Sequence, residues 1–133
     1  AHPGVIIASD GVPFIDGKGH PRGAGTFARV LGHYSREKKL LPLMEALAKM
    51  TILTARRLEG HVPAMKQKGR IAIGADADLT VFNPDTILDR ATFEAPTTPS
   101  AGIAHVIVNG TFVVRDRQLV KAAMPGRAVR NYQ

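Results

Sequence analysis

The chain has 133 residues, with 18 Lys or Arg against 11 Asp or Glu, for a net charge of +7. It contains no cysteine and no tryptophan, which excludes a disulfide framework and a thiolate zinc site and leaves a modest, largely aliphatic core. No apolar run approaches the roughly 20 residues that cross a bilayer as a helix.

The positive charge first suggests an anionic partner. Its distribution argues against a nucleic-acid surface. Arg36, Lys38 and Lys39 form the only tight cluster, with Arg56 and Arg57 as a pair, and no aromatic residues interleave with them as a single-strand platform requires. Solvated helix faces and a basic C-terminal tail account for the pattern. With no signal peptide before Val5, the expectation is a cytoplasmic protein with neither nucleic-acid nor membrane partner. The opening Ala1-His2-Pro3 carries no initiator Met and reads as the continuation of a longer polypeptide.

In chain order, the apolar run Val5-Ile6-Ile7-Ala8 enters Ser9-Asp10-Gly11. Such a run predicts a buried strand ending in a turn. The end of a buried strand is where α/β enzymes place catalytic carboxylates, so Asp10 is the leading candidate for chemistry. Residues 11–25 read as a long Gly- and Pro-rich loop, a length that is usually functional or disordered. Its glycines let backbone approach a ligand. His20, Arg22 and Lys18 supply donors, and Arg22 can grip a carboxylate through two parallel bonds.

Thr26 suits the cap of a helix with Phe27, Val30, Leu31 and Tyr34 on one apolar stripe. Pro42 suits the first turn of a second helix, with Leu43, Leu47, Met50 and Leu53 or Thr54 on its buried face, Leu58 near its end and Gly60 as its stop. Residues 69–74 and 77–82 read as short strands or strand-like turns, and residues 87–100, with Pro96 and Pro99, as a loop. Residues 105–108 and 111–114 flank Asn109-Gly110, a pair that accepts positive φ and predicts a tight hairpin. Gln118 to Val120 adds a short strand, and a polar, basic tail runs from Pro125 to Gln133. The five histidines, His2, His20, His33, His61 and His105, lack the spacing of a metal pair on one helix face.

Gly69-x-Ile71-x-x-Gly74-x-x-Ala77-Asp78-Leu79-x-Val81-Phe82, followed by Val106-x-Val108-Asn109-Gly110, resembles the C-terminal end of the amidohydrolase superfamily. Ser9-Asp10-Gly11, His20-Pro21-Arg22, Gly25-Thr26-Phe27, Arg29-Val30-Leu31-Gly32, Lys49-Met50-Thr51 and Asp89-Arg90-Ala91-Thr92-Phe93 narrow the likeness to the N-acyl-D-amino-acid deacylase (D-aminoacylase) branch. Thr54-Ala55 stands where relatives often have Pro-Ala.

The resemblance implies an α+β chain: the last strand and helices of a metal-dependent (β/α)8 barrel in residues 1–62, then part of a small β-sandwich domain in 63–133. It implies zinc-dependent hydrolysis of the amide of N-acyl-D-amino acids by the full-length enzyme. Asp10 then matches the aspartate that takes the proton of the attacking water and returns it to the leaving amine. Arg22 and His20 become substrate-binding candidates. The family's zinc ligands lie on earlier strands, so this chain is expected to hold no metal and to be inactive alone. Its partners are the N-terminal remainder of the barrel and a small N-acyl amino acid, and exposed strand edges make a homo-oligomer plausible.

Each residue also has a plainer reading. Asp before Gly often shapes a turn, Arg22 suits a local ion pair, and His20 before Pro21 suits loop shaping. Asp78 reads as a structural acceptor for backbone N–H groups. The competing readings for the whole chain are a non-catalytic basic module for an anionic partner or nucleic acid, and a scaffold or oligomer interface.

Overall fold

The computed structural model describes residues 2–130. The chain divides into two compact units: residues through 50 with residues 83–102, and residues 51–82 with residues from 103 on. Neither is a continuous stretch. No helix among the described residues is long and apolar enough to cross a membrane.

In the first unit, α1 spans Arg22–Arg29, continues as a π-helical stretch over Val30–Glu37, and is followed by α2, Leu43–Met50. Val30 and Leu31 are buried as their spacing predicts, but Phe27 and Tyr34 are not. The turns widen after Arg29, so that the Lys38 amide bonds the His33 carbonyl, five residues back. A stripe drawn at 3.6 residues per turn therefore drifts off the buried face. That face is made of small residues, Gly25, Ala28, Gly32 and Ser35. A Cβ at Gly32 would lie 2.5 Å from the carbonyl oxygen of Ile87. Nη1 of Arg36 donates to that same oxygen at 2.7 Å and to the Pro84 carbonyl at 3.0 Å. Ile87, 2% exposed, is thus held at its backbone carbonyl. Thr26 does not cap the helix. It lies inside α1, and its hydroxyl donates back to the Arg22 carbonyl at 2.9 Å.

Two further expectations fail in this unit. The run Val5 to Ala8 joins no sheet among the described residues, and Val5, Ile6 and Ala8 are exposed. A parallel strand requires neighbours for both rows of peptide groups; here the Ile7 amide donates to the Lys49 carbonyl at 3.1 Å instead. The loop from Gly11 is shorter than expected, ending where α1 begins. It contains a tight turn at Asp16-Gly17, φ 49° and 73°, closed by reciprocal backbone bonds between Ile15 and Lys18. Gly19 in the loop and Gly23 at the start of α1 make room for Phe14, since a Cβ at either would lie 2.6 or 2.9 Å from that ring.

The second unit holds α3, Ile52–Leu58, a 3-10 turn, Pro63–Gln67, and a four-stranded antiparallel sheet in the order β1-β2-β3-β4. The strands are β1 Leu79–Phe82, β2 Ile103–Val108, β3 Thr111–Arg115 and β4 Gln118–Leu119. The single helix expected over residues 43–58 is two, because Thr51, at φ −133° and ψ −91°, leaves the helical region. Of the two readings of residues 69–74, strand or turn, the structure shows the turn. Gly69 and Gly74 take φ of 68° and 83°, and Ile71 and Ile73 are fully solvent-facing. The β2–β3 hairpin turns at Asn109 and Gly110, φ 48° and 75°, as the pair predicts. His105 packs edge-on against Phe112 and accepts the Asp116 amide on Nδ1 at 3.2 Å, a structural role. Of the basic tail, residues 131–133 lie outside the described residues.

Asp78 fastens this unit. Its Oδ1 accepts the Asn109 amide at 2.8 Å, and its Oδ2 pairs with Lys68, which also contacts Asp76 at 2.9 Å. The ammonium and then the amide hold the Asp78 carboxyl below its ordinary value. A lowered folded-state pKa gives stability that is present above the unfolded value near 3.9 and lost as pH falls through the folded one. Asp78→Asn therefore costs about 1 kcal/mol at neutral pH after allowance for solvent screening. Thermal melts of both proteins followed by circular dichroism should differ at pH 7 and converge on acidification. An undiminished difference in acid would contradict this role.

Candidate active site

Asp10 ends the extended segment from Val5 and takes φ 49°. Asp tolerates this left-handed conformation better than most residues, and non-glycine residues held there cluster at functional sites. The turn is set by Ser9, whose hydroxyl oxygen accepts the Gly11 amide at 3.2 Å. Arg22, the first residue of α1, places Nη2 at 3.1 Å from Oδ2 of Asp10. The carboxylate is 82% exposed and the arginine side chain 39%, so the pair stands at a surface open to a reactant. The Nε of Arg22 is buried and has no hydrogen-bond partner. A buried unsatisfied donor costs about 1–3 kcal/mol.

His20 completes the group. Its Nδ1 accepts the Arg22 amide at 3.1 Å, which requires that nitrogen to be unprotonated. Its ring meets Phe93 edge-on at 4.9 Å. The three residues singled out from the sequence, Asp10, His20 and Arg22, thus come together.

His20 and Arg22 line a pocket of about 360 Å³ with Arg29, Asp89, Phe93 and Glu94. Nη1 of Arg29 binds Oδ2 of Asp89 at 3.0 Å. That bond chiefly raises the Arg29 pKa above its ordinary value, so the guanidinium stays charged. Its backbone amide and the Thr92 hydroxyl lower the Glu94 pKa. The pocket is charged on both sides and has an aromatic wall.

Sequence reasoning quoted Arg29, Asp89 and Phe93 as motif pieces without assigning them a place here. The Arg29–Asp89 pair spans 60 residues, and no periodicity links positions that far apart. His33, read as a surface residue, is half-buried and paired with Glu37 at 3.1 Å, one helical turn away.

A metal site was tested against the same geometry. Among the described residues no group of three or more His, Asp or Glu side chains converges closely enough to hold a metal ion. The residues present therefore do not by themselves fit the zinc that the resemblance implies.

Residues 4–114 match the model of the amidohydrolase family. The chain belongs to that family.

Among curated proteins, it is 49% identical over 129 residues to N-acyl-D-glutamate deacylase of Alcaligenes xylosoxydans xylosoxydans, covering 97% of this chain and 25% of that protein. It is 48% identical over 113 residues to D-aminoacylase of the same organism, covering 85% and 22%. Among solved structures, a crystal structure of D-aminoacylase superposes with a TM-score of 0.76 at 48% identity, over 86% of this chain and 23% of that one. N-acyl-D-glutamate deacylase from Bordetella bronchiseptica, complexed with zinc and a phosphonate mimic of the tetrahedral intermediate, superposes with a TM-score of 0.74 at 44% identity, over 91% and 26%. The chain spans about a quarter of the length of the curated relatives it matches.

Proposed function

We propose that this chain is the C-terminal part of a zinc-dependent amidohydrolase that hydrolyses the amide bond of N-acyl-D-amino acids, acting in the cytoplasm. Residues 1–62 would close a (β/α)8 catalytic barrel and residues 63–133 belong to a small β-domain. The partner is the remainder of that barrel. The exposed apolar side chains Val5, Ile6, Ile71 and Ile73 are consistent with burial against it.

The observation that carries the reading is the Asp10–Arg22 pair at 3.1 Å in a chain of this family. In the reaction, water adds to the amide carbonyl carbon and the C–N bond breaks. Asp10 accepts the proton of that water and delivers it to the departing amine nitrogen, leaving a carboxylate and a free amino acid. Zinc supplies the activation of water when bound in the complete enzyme. Arg22 binds the carboxylate of the amino-acid half, and His20 holds the Arg22 backbone in place. The arginine's present hold on Asp10 then loosens as substrate enters, because two anions share one cation.

The test is hydrolysis by the zinc-loaded complete polypeptide of N-acetyl-D-glutamate, N-acetyl-D-aspartate and neutral N-acetyl-D-amino acids, each against its L enantiomer. Release of free D-amino acid, with little from the L series, is expected. Absence of turnover on every D substrate would overturn the reading.

Arg22→Met should raise KM by about 10–100-fold, the range for a lost charge-assisted bond. Initial-rate kinetics over a range of substrate concentrations check it. An unchanged KM would remove Arg22 from the binding site.

A further inference from the structure

Lys49 is the residue whose chemistry nothing above has used. It lies in the last turn of α2 and its side chain is only 3% exposed. A buried ammonium is costly unless bonded, and this one is well bonded. Nζ donates to the carbonyl of His2 at 2.6 Å and of Val5 at 3.0 Å, and reaches that of Pro3 at 3.5 Å. Oε1 of Glu45 lies at 3.5 Å. The Lys49 main-chain carbonyl accepts the Ile7 amide at 3.1 Å. One residue therefore holds four main-chain positions of the segment that ends in Asp10. An aliphatic side chain would serve a core; an amine with its donors spent on these carbonyls serves the backbone path.

We propose that Lys49 is a positioning residue for Asp10, fixing the main chain on which that carboxylate is presented. The proposal rests on the reading of Asp10 as the proton-transferring group. A catalytic group displaced by about 1 Å can lose about 100-fold in rate, so the hold on Ile7, three residues before Asp10, bears on kcat rather than on substrate affinity.

The test is Lys49→Met in the zinc-loaded complete polypeptide, with two readouts. The expected result is a kcat about 10–100-fold lower with KM within about threefold, together with faster hydrogen–deuterium exchange in a peptide covering residues 4–9 while peptides from α1 stay protected. An unchanged kcat, or exchange at residues 4–9 like that of the parent, would overturn it. If Lys49→Met does not fold, Lys49→Arg carries the test. It keeps the charge but displaces the donors, and a lowered kcat at parental KM and zinc content supports the proposal, whereas parental kcat overturns it. Asp10→Asn is run in parallel. If it keeps full turnover, the reading of Asp10 has failed; if it loses turnover while Lys49→Met and Lys49→Arg keep theirs, only the role of Lys49 has failed.

Discussion

Asp10→Asn should lower kcat of the complete, zinc-loaded enzyme by about 1,000-fold, within the 100- to 10,000-fold range for a positioned general acid–base group. The substitution isolates the proton-transfer role. Asn has nearly the shape of Asp and tolerates the same left-handed backbone, so the turn at φ 49° and the Ser9–Gly11 bond that sets it are retained. What is lost is the basic carboxylate. An amide can neither take a proton from water nor deliver one to the leaving amine. KM should move little, because the proposed grip on substrate belongs to Arg22. That arginine, relieved of its ion pair with Asp10, would if anything bind an anionic substrate more readily. Steady-state kinetics with zinc content measured on the same preparation check the result. A kcat within about threefold of the parent would return Asp10 to the plain role of turn former.

Ile87→Ala should destabilise the protein by about 2–5 kcal/mol, the usual range for truncating a buried aliphatic side chain. Ile87 is the largest fully buried side chain among the described residues, and the chain is built closely around it. Gly32 lies against its carbonyl oxygen. A Cβ at Gly102, where φ is 80°, would sit 2.5 Å from its amide nitrogen. Arg36 bonds its carbonyl at 2.7 Å. With backbone fixed on three sides, the site cannot collapse on the void, which places the loss toward the upper part of that range. Chemical denaturation followed by circular dichroism measures it. A shift below 1 kcal/mol would mean that the segment yields, and that the glycines mark no tight packing.

How much of this was legible in the sequence depends on how local each signal is. Asn109-Gly110 determines its own hairpin, because only residues that accept positive φ make that turn. Asp78 was readable as a backbone acceptor from its residue type, but the amide it accepts, that of Asn109, lies 31 residues away and was not. Val5 to Ala8 joins no sheet among the described residues, because a strand depends on neighbours, which the run itself cannot supply. Phe27 and Tyr34 were misplaced by assuming 3.6 residues per turn, although the small residues Gly25, Ala28, Gly32 and Ser35 stood in the sequence as the alternative face. In the candidate site, Asp10, His20 and Arg22 were singled out from residues close together in the chain, and their contacts with one another are correspondingly local. Arg29 with Asp89, and Lys49 with the carbonyls of residues 2–5, were not, since long-range pairs leave no periodic trace. A lysine between Ala46 and Met50 reads as solvent-facing until the fold shows three carbonyls waiting for it.

The central claim is that these residues complete a larger hydrolase. The most direct measurement is turnover of N-acetyl-D-glutamate by the zinc-loaded polypeptide of the complete reading frame, compared with the same polypeptide lacking the residues described here. The account predicts that the complete protein turns over and the shortened one does not, because the shortened protein lacks Asp10 and Arg22. Undiminished turnover by a folded, zinc-containing shortened protein would contradict it and place the chemistry elsewhere.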